Sequence, residues 1–113
     1  MSPITTHALD TSIGRPARGL TITLSQRDDQ GTWMPLASGI TNDDGRITDL
    51  LEVGSLRSGI YQMRFETGAY HATLGIEGFY PEASIVFEVK DASQHYHIPL
   101  LISPFGYSTY RGS

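Results

Sequence analysis

Apolar and polar residues alternate at period two over much of this chain. In Leu20-Thr21-Ile22-Thr23-Leu24 threonines separate three aliphatic residues, so Leu20, Ile22 and Leu24 share one face of a half-buried strand. A rougher alternation runs from Trp33 to Ile40. Thr41-Asn42-Asp43-Asp44-Gly45 then supplies the side chains that close turns on their own backbone and the glycine that tolerates positive φ. Arg46 therefore starts a short strand just past a turn. In the stretch 59–66, Tyr61, Met63 and Phe65 fall on one face as core candidates.

The stretch from Thr67 to Leu74 predicts the one helix, at most two turns long, with Thr67 as N-cap and Gly75 as C-cap. Residues 83–89 predict a strand, and two more are expected over 94–102 and 106–111, joined by a tight Ser103-Pro104-Phe105 turn. Seven or eight short strands with regular turns and one short helix predict an all-β fold, an antiparallel β-sandwich. Neither internal repeats nor a composition shift divides the chain, so residues 1–113 are expected to form a single domain.

Alternation also sorts the chemistry onto faces. Along the penultimate strand Tyr96, Ile98, Leu100 and Ile102 form an apolar core set, leaving His95, His97, Pro99, Leu101 and Ser103 outside. Two histidines, a proline and a leucine are unusual for a plain solvated surface. In the last strand Ser108 and Tyr110 share one face, while Tyr107, Thr109 and Arg111 share the other. If these strands pair, Tyr110 comes near His97. Near the start, Thr5, His7 and Leu9 lie opposite Thr6, Ala8 and Asp10. Taken singly, His7, His71 and His95 read as ordinary surface or hydrogen-bonded histidines. His71 keeps that reading because it lies on the short helix, away from the other candidates.

Composition narrows the function classes. A 39% hydrophobic, 18% charged chain fits a folded protein slightly poor in charge, a deficit that suggests surface buried against other subunits. Net charge of −4 argues against nucleic acid or an anionic membrane as partner, because either needs a basic patch. Seven of the eight basic residues are arginine, whose planar fork suits flat polar ligands. With no cysteine, disulfides, thiolate metal sites and a cysteine nucleophile are excluded. The N-terminal residues lack the basic start and apolar stretch of a secretory signal, and no apolar run reaches membrane-spanning length. A cytoplasmic location is the expectation.

Three segments carry a resemblance. Thr6-His7-Ala8-Leu9-Asp10-Thr11-Ser12-Ile13-Gly14-Arg15-Pro16-Ala17, the turn from Thr41 to Arg46, and His95 to Ser113 with its closing Tyr-Arg-Gly-Ser resemble the signatures of the transthyretin-like 5-hydroxyisourate hydrolases of urate breakdown. The likeness runs along essentially the whole chain in unchanged order. It implies that His7, Arg46 and His97 are catalytic, and that His7, Arg46, Tyr110 and Ser113 bind substrate. It also implies a homotetramer, a dimer of dimers whose outer sheets face each other across a channel, which would account for the apolar, histidine-bearing outer face.

The implied reaction is hydrolysis of a ring amide of 5-hydroxyisourate, giving 2-oxo-4-hydroxy-4-carboxy-5-ureidoimidazoline, without metal or other cofactor. A neutral histidine can take a proton from water near pH 7; either His7 or His97 can be that base. Arg46 suits substrate orientation and charge stabilisation. Tyr110 packs on or hydrogen-bonds the substrate, and a terminal carboxylate on Ser113 anchors Arg111 or a group of the site. The His95-x-His97 pair could hold one metal ion, but the further ligands of a zinc site are missing. Two rival readings stand behind the enzyme. Transthyretin carries thyroid hormone in the same fold, yet His7, Arg46, His97 and Tyr110 would make such a channel narrow and polar. An immunoglobulin-like module ranks last, lacking the cysteine pair.

Overall fold

The computed structural model describes residues 2–113; Met1, which the expected domain includes, lies outside them. Among these residues the strands are β1 (Ile4–Asp10), β2 (Arg15–Pro16), β3 (Thr21–Arg27), β4 (Trp33–Ile40), β5 (Arg46–Ile47), β6 (Gly59–Phe65), β7 (Ala83–Val89), β8 (Tyr96–Ser103) and β9 (Gly106–Thr109). The helix α1 (Thr67–Thr73) bridges β6 and β7 in the chain. One sheet runs β2-β1-β8-β9, with β5 also paired to β1; the other runs β4-β3-β6-β7.

The two sheets enclose one core, and the alternation explains which residues fill it. Leu20, Ile22 and Leu24 are fully buried, as are Met63 and Phe65, with Tyr61 at 1% exposure. They meet Ile4, Ala8, Ile98, Leu100 and Ile102 from the opposite sheet. Each buried aliphatic side chain contributes about 1.5–3 kcal/mol relative to exposure. The rougher pattern of β4 has a local cause: its register with β3 shifts between Leu24↔Ala37 and Ser25↔Pro35, so Leu36 is an extra residue on the β4 side. Because β4 is an edge strand, it also tolerates Pro35, which has no amide to donate.

Two expectations need correction. The sandwich is not antiparallel throughout, because β1 and β8 pair in parallel over seven residues, from Ile4↔Tyr96 to Asp10↔Ile102. A parallel neighbour requires a long crossover, and here the whole second sheet supplies it. Local alternation is identical for parallel and antiparallel strands, so the pattern alone could not distinguish them. The helix also starts differently. Glu66 occupies the cap position, but its carboxylate pairs with Arg64 at 2.7 Å and makes no capping bond to the helix, and Thr67 is the first helical residue, its buried hydroxyl unpartnered among the described residues. The C-cap is Leu74, and Gly75 follows it at φ 69°, its amide donating to the Ala72 carbonyl.

Candidate active site

Three adjacent strands present the candidate chemistry on the outer face of the β1 sheet. On β1, Thr5, His7 and Leu9 are half-buried while Ile4, Thr6, Ala8 and Asp10 face the core. The parallel register sets Thr5 beside His97 and His7 beside Pro99. On the other flank of β1, antiparallel β5 sets Arg46 directly opposite His7. His7 and His97 are thus diagonal neighbours on one face, with Arg46 across β1 from His97. The Thr6 hydroxyl donates to the Ile98 carbonyl at 2.7 Å from the core side, clamping this register.

The turn before Arg46 is locally determined. Asn42 Oδ1 accepts from the amides of Asp44 and Arg46 at 2.9 and 3.0 Å, the side-chain turn expected of asparagine. Gly45 adopts φ 74°, and its carbonyl accepts the Ala8 amide at 2.8 Å. Any Cβ there would overlap the Ala8 carbonyl oxygen. The turn therefore lies tight on β1 and delivers Arg46 beside His7. The Arg46 side chain is exposed and takes no part in either ion pair among the described residues, Arg18–Asp43 and Arg64–Glu66.

Pro99 shapes the C-terminal segment. It sits in a central strand, where a residue without N–H is unusual. Regular pairing of β9 stops at Thr109, whose hydroxyl takes the Pro99 carbonyl at 2.7 Å. Pairing resumes only at an isolated bridge, His97↔Gly112. Between these points Tyr110 projects outward, 60% exposed. Arg111 turns the other way, its guanidinium 4.5 Å from the Tyr96 ring centre and bonded to Gln94 Oε1 and the His95 carbonyl at 2.9 and 3.3 Å. Those contacts, rather than a Ser113 carboxylate, hold Arg111.

His97 carries the distinctive electrostatics. Burial first, then the positive charge of Arg46 and the neighbouring His95 and His7, lower its pKa below the usual histidine value, opposed in part by a hydrogen bond to the Thr5 backbone. The shift favours the uncharged ring. A cleft of about 310 Å³ is lined by Thr5, Arg46, His95, His97 and Ser113, among others. A second, of about 260 Å³, lies on the far side of His97 and includes Tyr110 and Arg111. His97 forms part of both walls. The fold thus gathers Arg46, His97 and Ser113 around one cleft, sets His7 in register with Arg46 at its margin, and puts Tyr110 across the His97 ridge.

Thr5 escaped the sequence reading, and His95, placed there on the outer face beside His97, was given no part in the hydrolytic site. Thr5 Oγ1 lies 2.9 Å from His97 Nδ1 and 3.0 Å from His95 Nε2, and the two imidazoles are nearly parallel, 6.5 Å apart at 17°. The available signal was alternation, which groups Thr5 with His7 and His95 with His97. Among the described residues no group of three or more His, Cys, Asp or Glu side chains gathers to hold a metal ion, and no helix is long and apolar enough to cross a membrane.

His71 departs from its expectation differently. It is remote from the cleft, as expected, but 2% exposed, with both ring nitrogens unpartnered among the described residues. It packs edge-on against Tyr70, whose hydroxyl donates to the fully buried Asp10 at 2.7 Å. Burial pushes Asp10 upward, yet hydrogen bonds from Ser12 and Tyr70, helped by His71, hold its carboxyl below the usual range.

Comparison with known proteins identifies the family and the fold. The HIUase/Transthyretin family model matches residues 4–112. The mouse 5-hydroxyisourate hydrolase is 44% identical over 113 residues, covering 99% of this chain and 96% of its own. The Salmonella dublin 5-hydroxyisourate hydrolase is 41% identical over 110 residues, 97% of this chain and 80% of its own. Among solved structures, the Klebsiella pneumoniae 5-hydroxyisourate hydrolase superposes with TM-score 0.85 at 42% identity, over 97% of this chain and 98% of that one. Sea bream transthyretin in complex with thyroxine superposes with TM-score 0.94 at 32% identity, over 98% and 95%. The two-sheet sandwich, the continuous match and the relatives above 40% identity agree: the chain belongs to the HIUase/Transthyretin family.

Proposed function

We propose that this protein hydrolyses 5-hydroxyisourate to 2-oxo-4-hydroxy-4-carboxy-5-ureidoimidazoline in urate catabolism. The observation that carries the reading is His97, half-buried on the wall of the cleft of about 310 Å³ that Arg46 also lines, where burial and that cation favour its neutral form. A base near its operating pH with an adjacent fixed cation is what water attack on a ring carbonyl needs. In this mechanism water attacks the amide carbon as imidazole takes its proton. The Arg46 fork stabilises the oxyanion, the carbon–nitrogen bond then breaks, and the ring nitrogen takes the proton back. His7, diagonal to His97 and opposite Arg46, shares the proton traffic, and either histidine serves as the first acceptor. Tyr110 and Ser113 complete the substrate contacts. A homotetramer that pairs the outer sheets is part of the reading, supported by half-buried Leu9 and Leu101 and exposed Tyr110 on that face.

One observation favours a carrier instead: the backbone superposes better on thyroxine-bound sea bream transthyretin than on the Klebsiella hydrolase. Backbone likeness does not select function, and identity runs the other way, 32% against 42%. The decisive assay generates 5-hydroxyisourate freshly from urate and follows its ultraviolet decay with and without the protein. Acceleration over spontaneous decay supports the enzyme. Thyroxine binding without acceleration would establish the carrier.

A further inference from the structure

Thr5 Oγ1 stands between two imidazoles, 2.9 Å from His97 Nδ1 and 3.0 Å from His95 Nε2. A hydroxyl has one proton to give, so with both rings neutral the two contacts are not independent. If Thr5 donates to His95, it must accept from His97 Nδ1–H. If it donates to His97, then His95 Nε2 must carry the proton. The hydrogen bond at one ring nitrogen determines which tautomer the other nitrogen has. His97 Nε2 makes no hydrogen bond among the described residues, whereas Nδ1 is committed to Thr5.

We propose that Thr5 and His95 are positioning residues: they hold His97 as its Nδ1–H tautomer, leaving Nε2 as the basic atom, and form a relay for the proton it accepts. This rests on the hydrolase reading, because it assigns the proton path of that reaction. When Nε2 takes a proton from water, the Nδ1 proton passes to Thr5 Oγ1 as the Thr5 proton passes to His95 Nε2. The positive charge moves from half-buried His97, beside Arg46, to exposed His95. Return along the same path lets Nε2 protonate the departing ring nitrogen, with no net proton gained. The near-parallel rings fit a single hydroxyl serving both.

The test has a spectroscopic arm and a kinetic arm. In the full chain with ¹⁵N-labelled histidine, two-bond ¹H–¹⁵N spectra at about pH 8, where histidine is mostly neutral, should show both His97 and His95 protonated at Nδ1. Thr5→Val should abolish that bias and lower kcat on the order of tenfold, with little change in KM, as befits a lost tautomer-orienting contact. Thr5→Ser should restore both. His95→Phe keeps an aromatic ring but removes the acceptor, and should also mix the His97 tautomers; it serves if Thr5→Val fails to fold. Finding His97 protonated at Nε2 in the unmodified protein, or an unchanged tautomer in both variants, overturns the relay. The spectra need no substrate. Inactivity toward 5-hydroxyisourate with an Nδ1–H His97 would therefore remove the hydrolase reading and the proton transfer, while leaving the tautomer assignment in place.

Discussion

Gly112 lies against the His97 imidazole so closely that no side chain fits between them. A Cβ on Gly112 would come 2.5 Å from His97 Cδ2 and 3.3 Å from Pro99 Cγ, while its amide donates to the His97 carbonyl at 2.9 Å. The backbone is not forced into the positive φ region here; glycine is required by proximity. The closing segment is thus a backstop that orients the ring.

Gly112→Ala should accordingly push His97 out of place with little loss of overall stability. Turnover of 5-hydroxyisourate is expected to fall by roughly tenfold to a hundredfold, the cost of displacing an acid–base group, with the thermal midpoint nearly unchanged. Equal turnover at an equal midpoint would show that the contact does not orient the ring.

Loss of the candidate groups themselves should cost more. His7→Ala, Arg46→Ala and His97→Ala are each expected to reduce turnover by on the order of a hundredfold or more while the fold persists. Removing residues 110–113 should likewise abolish activity and leave a β-rich far-ultraviolet spectrum. Wild-type turnover in all three substitutions would defeat the site assignment.

The lowered pKa of His97 has a definite pH consequence. Its folded value lies below the ordinary histidine value of about 6.5, so kcat/KM should be flat above 6.5 and fall only as pH drops through that lower value. For stability, the unfolded chain binds this proton more readily. The His97 contribution is thus fully present above about 6.5 and declines as pH falls from there to the folded value. Arg46→Gln removes the positive charge that acts most strongly on His97 and should raise its midpoint, as read by imidazole NMR. A midpoint that stays or falls would contradict the pairing.

Inside the sandwich, Tyr70→Phe should cost about 1.5–3 kcal/mol in denaturant unfolding, the range for a hydrogen bond to a charged group, because buried Asp10 loses its 2.7 Å donor. With its folded pKa depressed, Asp10 stabilises the native state above its unfolded value of about 3.8. That contribution is lost as pH falls through the folded value. Tyr70→Phe should move the acid-unfolding midpoint upward; an unchanged midpoint would argue that Ser12 alone holds the carboxylate.

How far the residues alone revealed the site varies from one to the next. Alternation in 95–103 separated His97 from Ile98 and Leu100 correctly, and the Asn42-to-Gly45 turn announced where Arg46 begins. The opposite directions of Tyr110 and Arg111 also followed from strand period. Thr5 could not be singled out, because a threonine in a strand is ordinary until its hydroxyl is seen between two rings. His71 was misjudged for a related reason: seven helical residues do not reveal which side of α1 lies against the sandwich.

By itself, then, the sequence determined the class of fold, the side of each strand that faces the core, and the residue types available on the outer face, since these follow from backbone period and hydrophobic burial. Tertiary structure decided which strands are neighbours. Parallel pairing of β1 with β8 sets Thr5 beside His97, antiparallel pairing with β5 sets Arg46 opposite His7, and the break at Pro99 brings Gly112 onto His97. Those contacts join residues far apart in the chain, and no local propensity records them, because their register is selected by how two whole sheets bury their apolar faces together.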